Sequence, residues 1–185
     1  MYHIPEDRRA QRSAGLLYDG LIRCLKKKSL TDITVAEVVK SSGVSRATFY
    51  RLFDTIVDIL TWRCEEIQQE SMKRARMAEG MSHRSTFLFY ASLWMENRDM
   101  LSALIANGRM DILLSVHESH QDEISEIFLS DASMDPIHKE YLSGMLTALM
   151  PVGFRICIQH PEYSMEELFD LLQESICNLE DFFAD

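Results

Sequence analysis

Apolar side chains recur at helical spacing through most of the chain, and few residues interrupt them. In the first segment Leu17, Leu21 and Leu25 return every four residues, while Arg12 and Arg23 lie off that stripe. The 185 residues include only 7 Gly and 4 Pro, too few breakers for a β fold built from many turns. The pattern predicts an all-α protein.

Glycines, prolines and capping residues divide this pattern into about nine helices. A chain of this length has room for one domain, or for one core with a small appended module. The predicted helices span residues 6–28, 35–41, 46–53, 55–79, 83–96, 99–106, 110–129, 136–159 and 165–183.

Two short helices near residue 40 are predicted to form a helix-turn-helix. Thr34 and Glu37 match the T-x-x-E capping box, in which each side chain satisfies a free N–H group at the start of a helix. Gly43 suits the position just after a helix, and Ser45 can cap the helix that follows. A turn of three or four residues between two short helices is typical of this motif.

The third predicted helix separates an apolar face from a polar one. Phe49 and Phe53 lie at i and i+4, so both point to the same side of the helix. The side chains that point elsewhere are basic, hydroxylated or small. They are Arg46, Ala47, Thr48, Tyr50 and Arg51.

Charge is divided unevenly along the chain. Residues 1–53 hold ten Lys and Arg against five Asp and Glu, whereas residues 54–185 hold nine against twenty-four. The net charge of −10 disfavours nucleic-acid binding by the chain as a whole, but a polyanion meets the local field of the surface that it approaches. The sequence therefore predicts a basic module attached to an acidic body.

The helix-turn-helix segment closely resembles the DNA-binding signature of TetR-type transcriptional regulators. The matching residues are I-T-V-A-E-V-V at 33–39, S-G-V-S-R-A-T-F-Y-R-L-F at 42–53 and I-L at 59–60. The resemblance implies a DNA-binding helix-turn-helix domain at residues 1–54 and an effector-binding and dimerisation domain at residues 55–185. It also implies a homodimer that binds a near-palindromic operator in double-stranded DNA, acting as a repressor that a small-molecule effector releases.

Within that resemblance, the third helix enters the major groove of DNA. Arg46 can pair with guanine, and Ala47 or the methyl group of Thr48 can touch thymine. Hydroxyl groups and helix N-termini can hold phosphates, although Thr34 and Ser45 also serve as helix caps, and the aromatic member of the set can pack its ring on the module core. The predicted DNA contacts are Thr34, Ser45, Arg46, Ala47, Thr48, Tyr50 and Arg51.

Two positions depart from the family pattern. The lysine that the family places at the start of the fourth helix, against a DNA phosphate, is replaced by the stretch 54–56, Asp-Thr-Ile, and Leu52 stands where the family often has His or Tyr. Losing one or two of the ~6–10 phosphate contacts of a typical DNA-binding protein weakens binding. Binding then relies more on Arg8, Arg9 and Arg12, unless these form only a solvated tail. The alternative is a co-regulator of the same fold that acts through a protein partner.

The body carries two further predictions that rest on the resemblance. Aromatic and methionine side chains suit a cavity for a mostly apolar effector, or simply a core, and the predicted pocket residues are Tyr90, Trp94, Phe87 and Met110. Two apolar stripes at helical spacing are predicted to form a dimer interface, or else to serve only the internal core. Their residues are Leu142, Met145, Leu149, Leu168, Leu172 and Ile176.

Other functions lack a pattern in their favour. No phosphate-cradling glycine loop, H-E-x-x-H or G-x-S-x-G motif is present, so neither a cofactor nor an enzyme is predicted, and an enzyme that uses the central cavity has no motif to support it. His117 and His120 are interpreted as part of a hydrated acidic helix face rather than as a metal site. The four scattered cysteines are predicted to be reduced. No apolar stretch of ~20 residues and no secretory signal is found, which predicts a cytoplasmic protein without a membrane span.

Overall fold

The computed structural model describes residues 1–78, 80–129, 134–171 and 174. The secondary structure of these residues is helical, without a strand, and this confirms the predicted all-α class. The helices are α1 (Arg8–Leu25), α2 (Val35–Ser42), α3 (Arg46–Leu52), α4 (Ile56–Met77), α5 (His83–Glu96), α6 (Arg98–Ala106), α7 (Met110–Ser119), α8 (Gln121–Phe128) and α9 (Pro136–Gln159), with a 3-10 helix at Leu30–Asp32 and a helical segment at 165–171.

One predicted helix is wrong, and it changes the count. Residues 110–129, predicted as a single helix, form α7 and α8, which are separated at His120. The N–H group of His120 donates to the carbonyl of His117 at 3.2 Å, and the first turn of α8 contains Asp122 and Glu123, whose charges favour a helix N-terminus. The described residues therefore contain ten α-helical segments where about nine were predicted. No Gly or Pro marks this break in the sequence.

Two compact units make up the chain. One consists of Met1–Gln68 with Asp99–Val116, and the other of Gln69–Arg98 with His117–Asp185. The first unit thus contains the helix-turn-helix together with α6, which comes much later in the sequence. The boundary predicted between residues 54 and 55 separates a DNA-binding domain from an effector-binding and dimerisation domain. This functional division stays a prediction.

Helix α6 is fixed to the end of α1 by two polar contacts in the first unit. The ammonium group of Lys26 lies 3.0 Å from the carboxylate of Asp99. The N–H group of Leu30, just after α1, donates to the side-chain oxygen of Asn107 at 2.6 Å. A cavity of about 200 Å³ lies between the same two helices. These contacts join the end of α1 to a helix that follows it by some seventy residues.

The first three helices share one apolar core. The predicted inward pair, Phe49 and Phe53, is fully buried, with ring centroids 6.2 Å apart, and Phe53 also contacts Trp62 of α4 at 6.0 Å. The leucines of the four-residue stripe on α1 are buried too, apart from the partly exposed Leu25. The fully buried side chains of this core are Ala14, Leu17, Leu21, Val38, Phe49, Leu52 and Phe53.

Helices α1 and α2 approach each other closely at Gly20. A Cβ atom added there would lie 2.8 Å from the Cβ atom of Ser42 and 2.9 Å from its backbone nitrogen. Such distances are shorter than van der Waals contact, and one of the two atoms belongs to the backbone, which moves only with the helix. Gly15, on the same helix, has no atom within 4 Å of its added Cβ.

We expect Gly20→Ala to lower the free energy of unfolding by about 1–3 kcal/mol, because the added methyl group forces α2 away from α1. The matched variant Gly15→Ala should raise it by about 0.5–1 kcal/mol, since alanine favours the helix and meets no neighbour. Urea denaturation followed by circular dichroism measures both. Equal effects of the two variants would contradict the close packing of α1 on α2.

Helix α9 is long enough and apolar enough to cross a membrane, with 24 residues and a mean hydropathy of 1.4 over an 18-residue window. The sequence argument that no segment has this length is therefore wrong for α9. A third of that window is buried within the protein, and core helices of soluble proteins pass the same test. One such helix is weak support for a membrane span.

The N-terminus of α2 carries the predicted capping box. The N–H group of Glu37 donates to the hydroxyl of Thr34 at 3.3 Å, and the N–H group of Thr34 donates to the carboxylate of Glu37 at 2.9 Å. The ammonium group of Lys28 pairs with the same carboxylate. The hydrogen bond from Lys28 first, and those from Thr34 second, lower the pKa of Glu37 to about 2.

We expect Glu37→Gln to flatten the acid limb of stability. Because the pKa of Glu37 in the folded protein lies below its ordinary value of 4.5, its stabilising contribution is complete above that pH and is lost as the pH falls towards 2. The group is solvent-exposed, so the effect is small. The free energy of unfolding measured at several pH values tests this. Glu140→Gln, at an exposed position on α9, is the control, and identical pH profiles for all three proteins would contradict the assignment.

Candidate nucleic-acid interface

A defined turn joins α2 to α3. Gly43 follows α2 with φ of 72°, the left-handed conformation that glycine adopts without strain, and its N–H group donates to the carbonyl of Val39. Ser45 then caps α3 by accepting a hydrogen bond from the N–H group of Thr48 at 3.1 Å. Both roles were predicted from the sequence, and together they fix the direction in which α3 leaves the turn.

Helix α3 turns one face inward and the other to solvent. Phe49 and Leu52 are fully buried. Of the outward residues that were predicted to contact DNA, Thr48 is half-buried and the others are exposed: Arg46, Ala47, Tyr50 and Arg51. The structure therefore places all five predicted side chains of this helix on one accessible surface, which we call the α3 face.

The polar groups of the α3 face contact one another. The guanidinium carbon of Arg46 lies 5.6 Å from the ring centroid of Tyr50, and a guanidinium nitrogen lies 3.4 Å from its hydroxyl. The hydroxyls of Ser45 and Thr48 are 2.9 Å apart. The ring of Tyr50 also packs edge-on against Phe49, with centroids 5.2 Å apart. Tyr50 thus combines the two alternatives raised by the sequence, a ring on the core and an accessible hydroxyl.

The remaining predicted contacts lie on α1 and α2. Thr34 is exposed and serves as the cap of α2. The three basic residues near the N-terminus belong to the first turns of α1 rather than to a frayed tail, because Asp7 caps that helix through the N–H groups at positions 9 and 10. All three are exposed: Arg8, Arg9 and Arg12. Whether these residues contact phosphate remains a prediction.

The junction between α3 and α4 explains both departures from the family pattern. Leu52 is fully buried, so its side chain completes the core instead of reaching outward. Thr55 begins α4 by a reciprocal cap, in which its N–H group donates to Asp58 at 2.7 Å and its hydroxyl accepts from the N–H group of Asp58 at 3.3 Å. Asp54 is exposed beside it, with a ring nitrogen of His3 at 3.4 Å and the amino group of Met1 at 3.3 Å. Carboxylates therefore occupy the junction where the family has a lysine.

A buried aromatic cluster occupies the second unit. Tyr90 and Trp94, predicted as pocket residues, are fully buried there. The hydroxyl of Tyr90 lies 3.2 Å from a ring nitrogen of His117. The ring of Trp94 stacks on Phe154 with centroids 5.6 Å apart and contacts the ring of His117 at 5.2 Å. The interpretation of His117 as a solvated residue is wrong, because its side chain is fully buried. Among the described residues no group of His, Cys, Asp and Glu is arranged to hold a metal ion.

A separate apolar cavity of about 280 Å³ lies between α5, α9 and the segment 165–171. Phe87, which was predicted as a pocket residue, lines this cavity. So do Leu149 and Leu168, which were predicted for the dimer interface. Met150, Met165 and Phe169 complete most of its wall. Met110, the remaining predicted pocket residue, begins α7 in the first unit.

Comparison with protein-family models gives no match, and comparison with curated proteins gives none either. Solved structures do match. Lin0861 from Listeria innocua has a TM-score of 0.73 at 18% identity, over 96% of both chains. A TetR transcriptional regulator from Streptococcus agalactiae 2603V has 0.62 at 17%, over 91% of this chain and 94% of that one. The TetR family repressor AlkX from Dietzia sp. strain DQ12-45-1b, implicated in biodegradation of n-alkanes, has 0.57 at 12%, over 94% and 95%.

This chain has a TetR-like fold. The likeness covers more than nine tenths of the chain in all three cases, so it includes the acidic body as well as the helix-turn-helix. At identities below one fifth the likeness shows the fold alone. What the protein does must therefore be argued from its own surfaces.

One surface of this TetR-like chain is an apolar stripe along α9. Ile137 is 76% exposed, Tyr141 67% and Val152 39%, and their spacing places them on one side of the helix. These three residues were not identified from the sequence, although they recur at helical spacing in it. Four predicted interface residues are half-buried near this stripe or on the segment 165–171: Leu142, Met145, Leu149 and Leu168. The other two, Leu172 and Ile176, lie outside the described residues.

Proposed function

We propose that this protein is a sequence-specific regulator of transcription that binds double-stranded DNA as a cytoplasmic homodimer. It acts as a repressor at a near-palindromic operator and is released by a mostly apolar small molecule. The α3 face carries this proposal, because a short helix that buries Phe49 and Leu52 and exposes arginine, tyrosine and small side chains fits the major groove. Binding rather than catalysis is the proposed role.

The distribution of charge along the chain also supports DNA binding at the α3 face. The module formed by residues 1–53 has a net charge of +5, in contrast to −15 for the rest of the chain. The exposed arginines of α1 and α3 contribute to this positive charge, and local attraction of this kind supplies most of the affinity for the DNA backbone. Arg46 and the methyl groups of Ala47 and Thr48 are then in position to read bases.

Dimerisation is supported by the α9 stripe. A helix-turn-helix covers few base pairs, so such proteins place two reading helices about 34–36 Å apart on a near-palindrome. Exposed apolar side chains that follow one side of a long helix are typical of surfaces that another chain covers. The stripe on α9 is such a surface.

The apolar cavity supports an effector. Its walls are apolar side chains of α5, α9 and the segment 165–171, which suits an uncharged molecule with a large hydrocarbon part. An effector releases DNA only to the extent that it binds the released conformation more tightly than the DNA-bound one. The proposal therefore requires an effector whose affinity falls when operator is present.

We expect selection from a random duplex library to enrich a near-palindrome whose half-sites lie about one helical turn apart. Arg46→Ala should lower affinity for that operator about tenfold or more, since a bidentate contact to a base is lost. Lys73→Ala, which removes an exposed cation of α4 outside the module, should leave the affinity unchanged. Fluorescence anisotropy at several salt concentrations measures all three proteins.

The co-regulator remains the second candidate, favoured by the exposed carboxylate of Asp54 at the junction of α3 and α4. It predicts binding that is weak and indifferent to sequence, with no palindrome enriched and no difference between Arg46→Ala and Lys73→Ala. That outcome would contradict the regulator and direct attention to protein partners of the acidic body.

We expect Tyr141→Glu to shift the protein from dimer to monomer, because it places a charge in the centre of the α9 stripe. Glu140→Gln, at the neighbouring exposed position, is the control and should leave the dimer intact. Sedimentation velocity across a range of concentrations measures the change. A monomeric wild type, or a Tyr141→Glu variant that stays dimeric, would contradict an interface at this stripe.

A further inference from the structure

The first residues of the chain lie along the end of the reading helix. The N–H group of His3 donates to the carbonyl of Leu52 at 2.8 Å, and the N–H group of Asp54 donates to the carbonyl of Met1 at 3.2 Å. Tyr2 and Phe53 form an antiparallel bridge between these two bonds. Residues 1–3, which we call the N-terminal strap, thus pair with residues 52–54.

This pairing falls where α3 needs support. Helix α3 has only seven residues, and a helix so short is not stable by itself in water. Its last carbonyl groups have no partner inside the helix, and the strap satisfies the one at Leu52. Phe53 follows in an extended conformation, with φ of −139° and ψ of 136°, which is the geometry that pairing with a strand requires.

Side chains of the strap also reach α4. Tyr2 is partly buried, and burial first, then the charges of Glu65 and Glu66 on α4, raise the pKa of its hydroxyl. The ring of His3 lies 3.4 Å from Asp54, in the short link between α3 and α4. The amino group of Met1 lies 2.9 Å from the carboxylate of Asp58 on α4, so the strap contacts both the end of α3 and the helix that follows.

We propose that the N-terminal strap is part of the DNA-reading head, where it sets the direction of α3 by pairing with the α3–α4 junction, and that His3 is a positioning residue for operator recognition. The proposal rests on the function proposed above, in which α3 reads DNA. It assigns the contribution of His3 to its backbone N–H group, not to its ring. The strap contributes without touching a base.

Two variants of one residue separate these contributions. His3→Pro removes the N–H donor to Leu52, and the extended residue before it tolerates a following proline. His3→Ala keeps the N–H group and removes the ring. We expect His3→Pro to weaken operator binding about 3- to 10-fold, the effect of one hydrogen bond, and His3→Ala to change it less than about 2-fold.

A second pair guards against a variant that fails to fold. Asp54→Pro removes the other donor of the pairing, and Asp54→Ala removes the same carboxylate while keeping the N–H group. The ratio of operator affinities between the alanine and proline variants is expected to exceed about 3 at both positions. Circular dichroism confirms that each protein keeps the helicity of the wild type.

Positioning and phosphate contact give different salt behaviour. If the strap only directs α3, His3→Pro leaves the slope of log affinity against log salt unchanged and weakens the operator more than a random duplex. Equal affinities of proline and alanine variants would overturn the proposal. The proposal would also be overturned if His3→Ala lost as much operator affinity as His3→Pro and the dependence of affinity on salt became shallower. The ring of His3 would then be in contact with DNA phosphate. A wild type that enriches no operator overturns the proposed function itself, and with it the strap.

Discussion

Burial of one side of α3 is the constraint on which the exposed α3 face depends. Seven residues cannot hold a helix in water, so α3 persists because Phe49 and Leu52 are buried and the helix packs against α1 and α2. The same packing decides which side chains are left outside. Arg46 and Tyr50 are accessible because their neighbours on the helix are not, and the edge contact between Tyr50 and Phe49 joins the exposed surface directly to the core.

Contacts between segments far apart in sequence hold the helix-turn-helix module together. Residues 1–3 pair with the end of α3, and Asn107 of α6 accepts a hydrogen bond from the segment after α1. Gly20 allows α1 and α2 to approach so closely that a methyl group would clash. The three-helix core therefore depends on contacts between residues that are remote in sequence.

Apolar surface is distributed among three different tasks in the body. Tyr90 and Trp94 form a buried cluster with His117. Phe87 faces an apolar cavity of about 280 Å³, and Ile137 and Tyr141 remain exposed on α9. Solved structures that are only 12–18% identical to this chain share its fold. This is expected, because a helical core requires apolar side chains of suitable volume rather than particular residues.

The sequence alone determined the features that depend on neighbours a few residues away. These are the helical class, the caps at Thr34 and Ser45, the left-handed turn at Gly43 and the two faces of α3, because hydrogen bonds within one turn and the 3.6-residue period act locally. The tertiary structure decided the burial of His117 and which apolar side chains form core, cavity or exposed stripe. The pairing of residues 1–3 with residues 52–54 is of the same kind. Each depends on contacts between segments far apart in the chain. Helical periodicity shows which side of a helix is apolar, but it does not show which segment packs against that side.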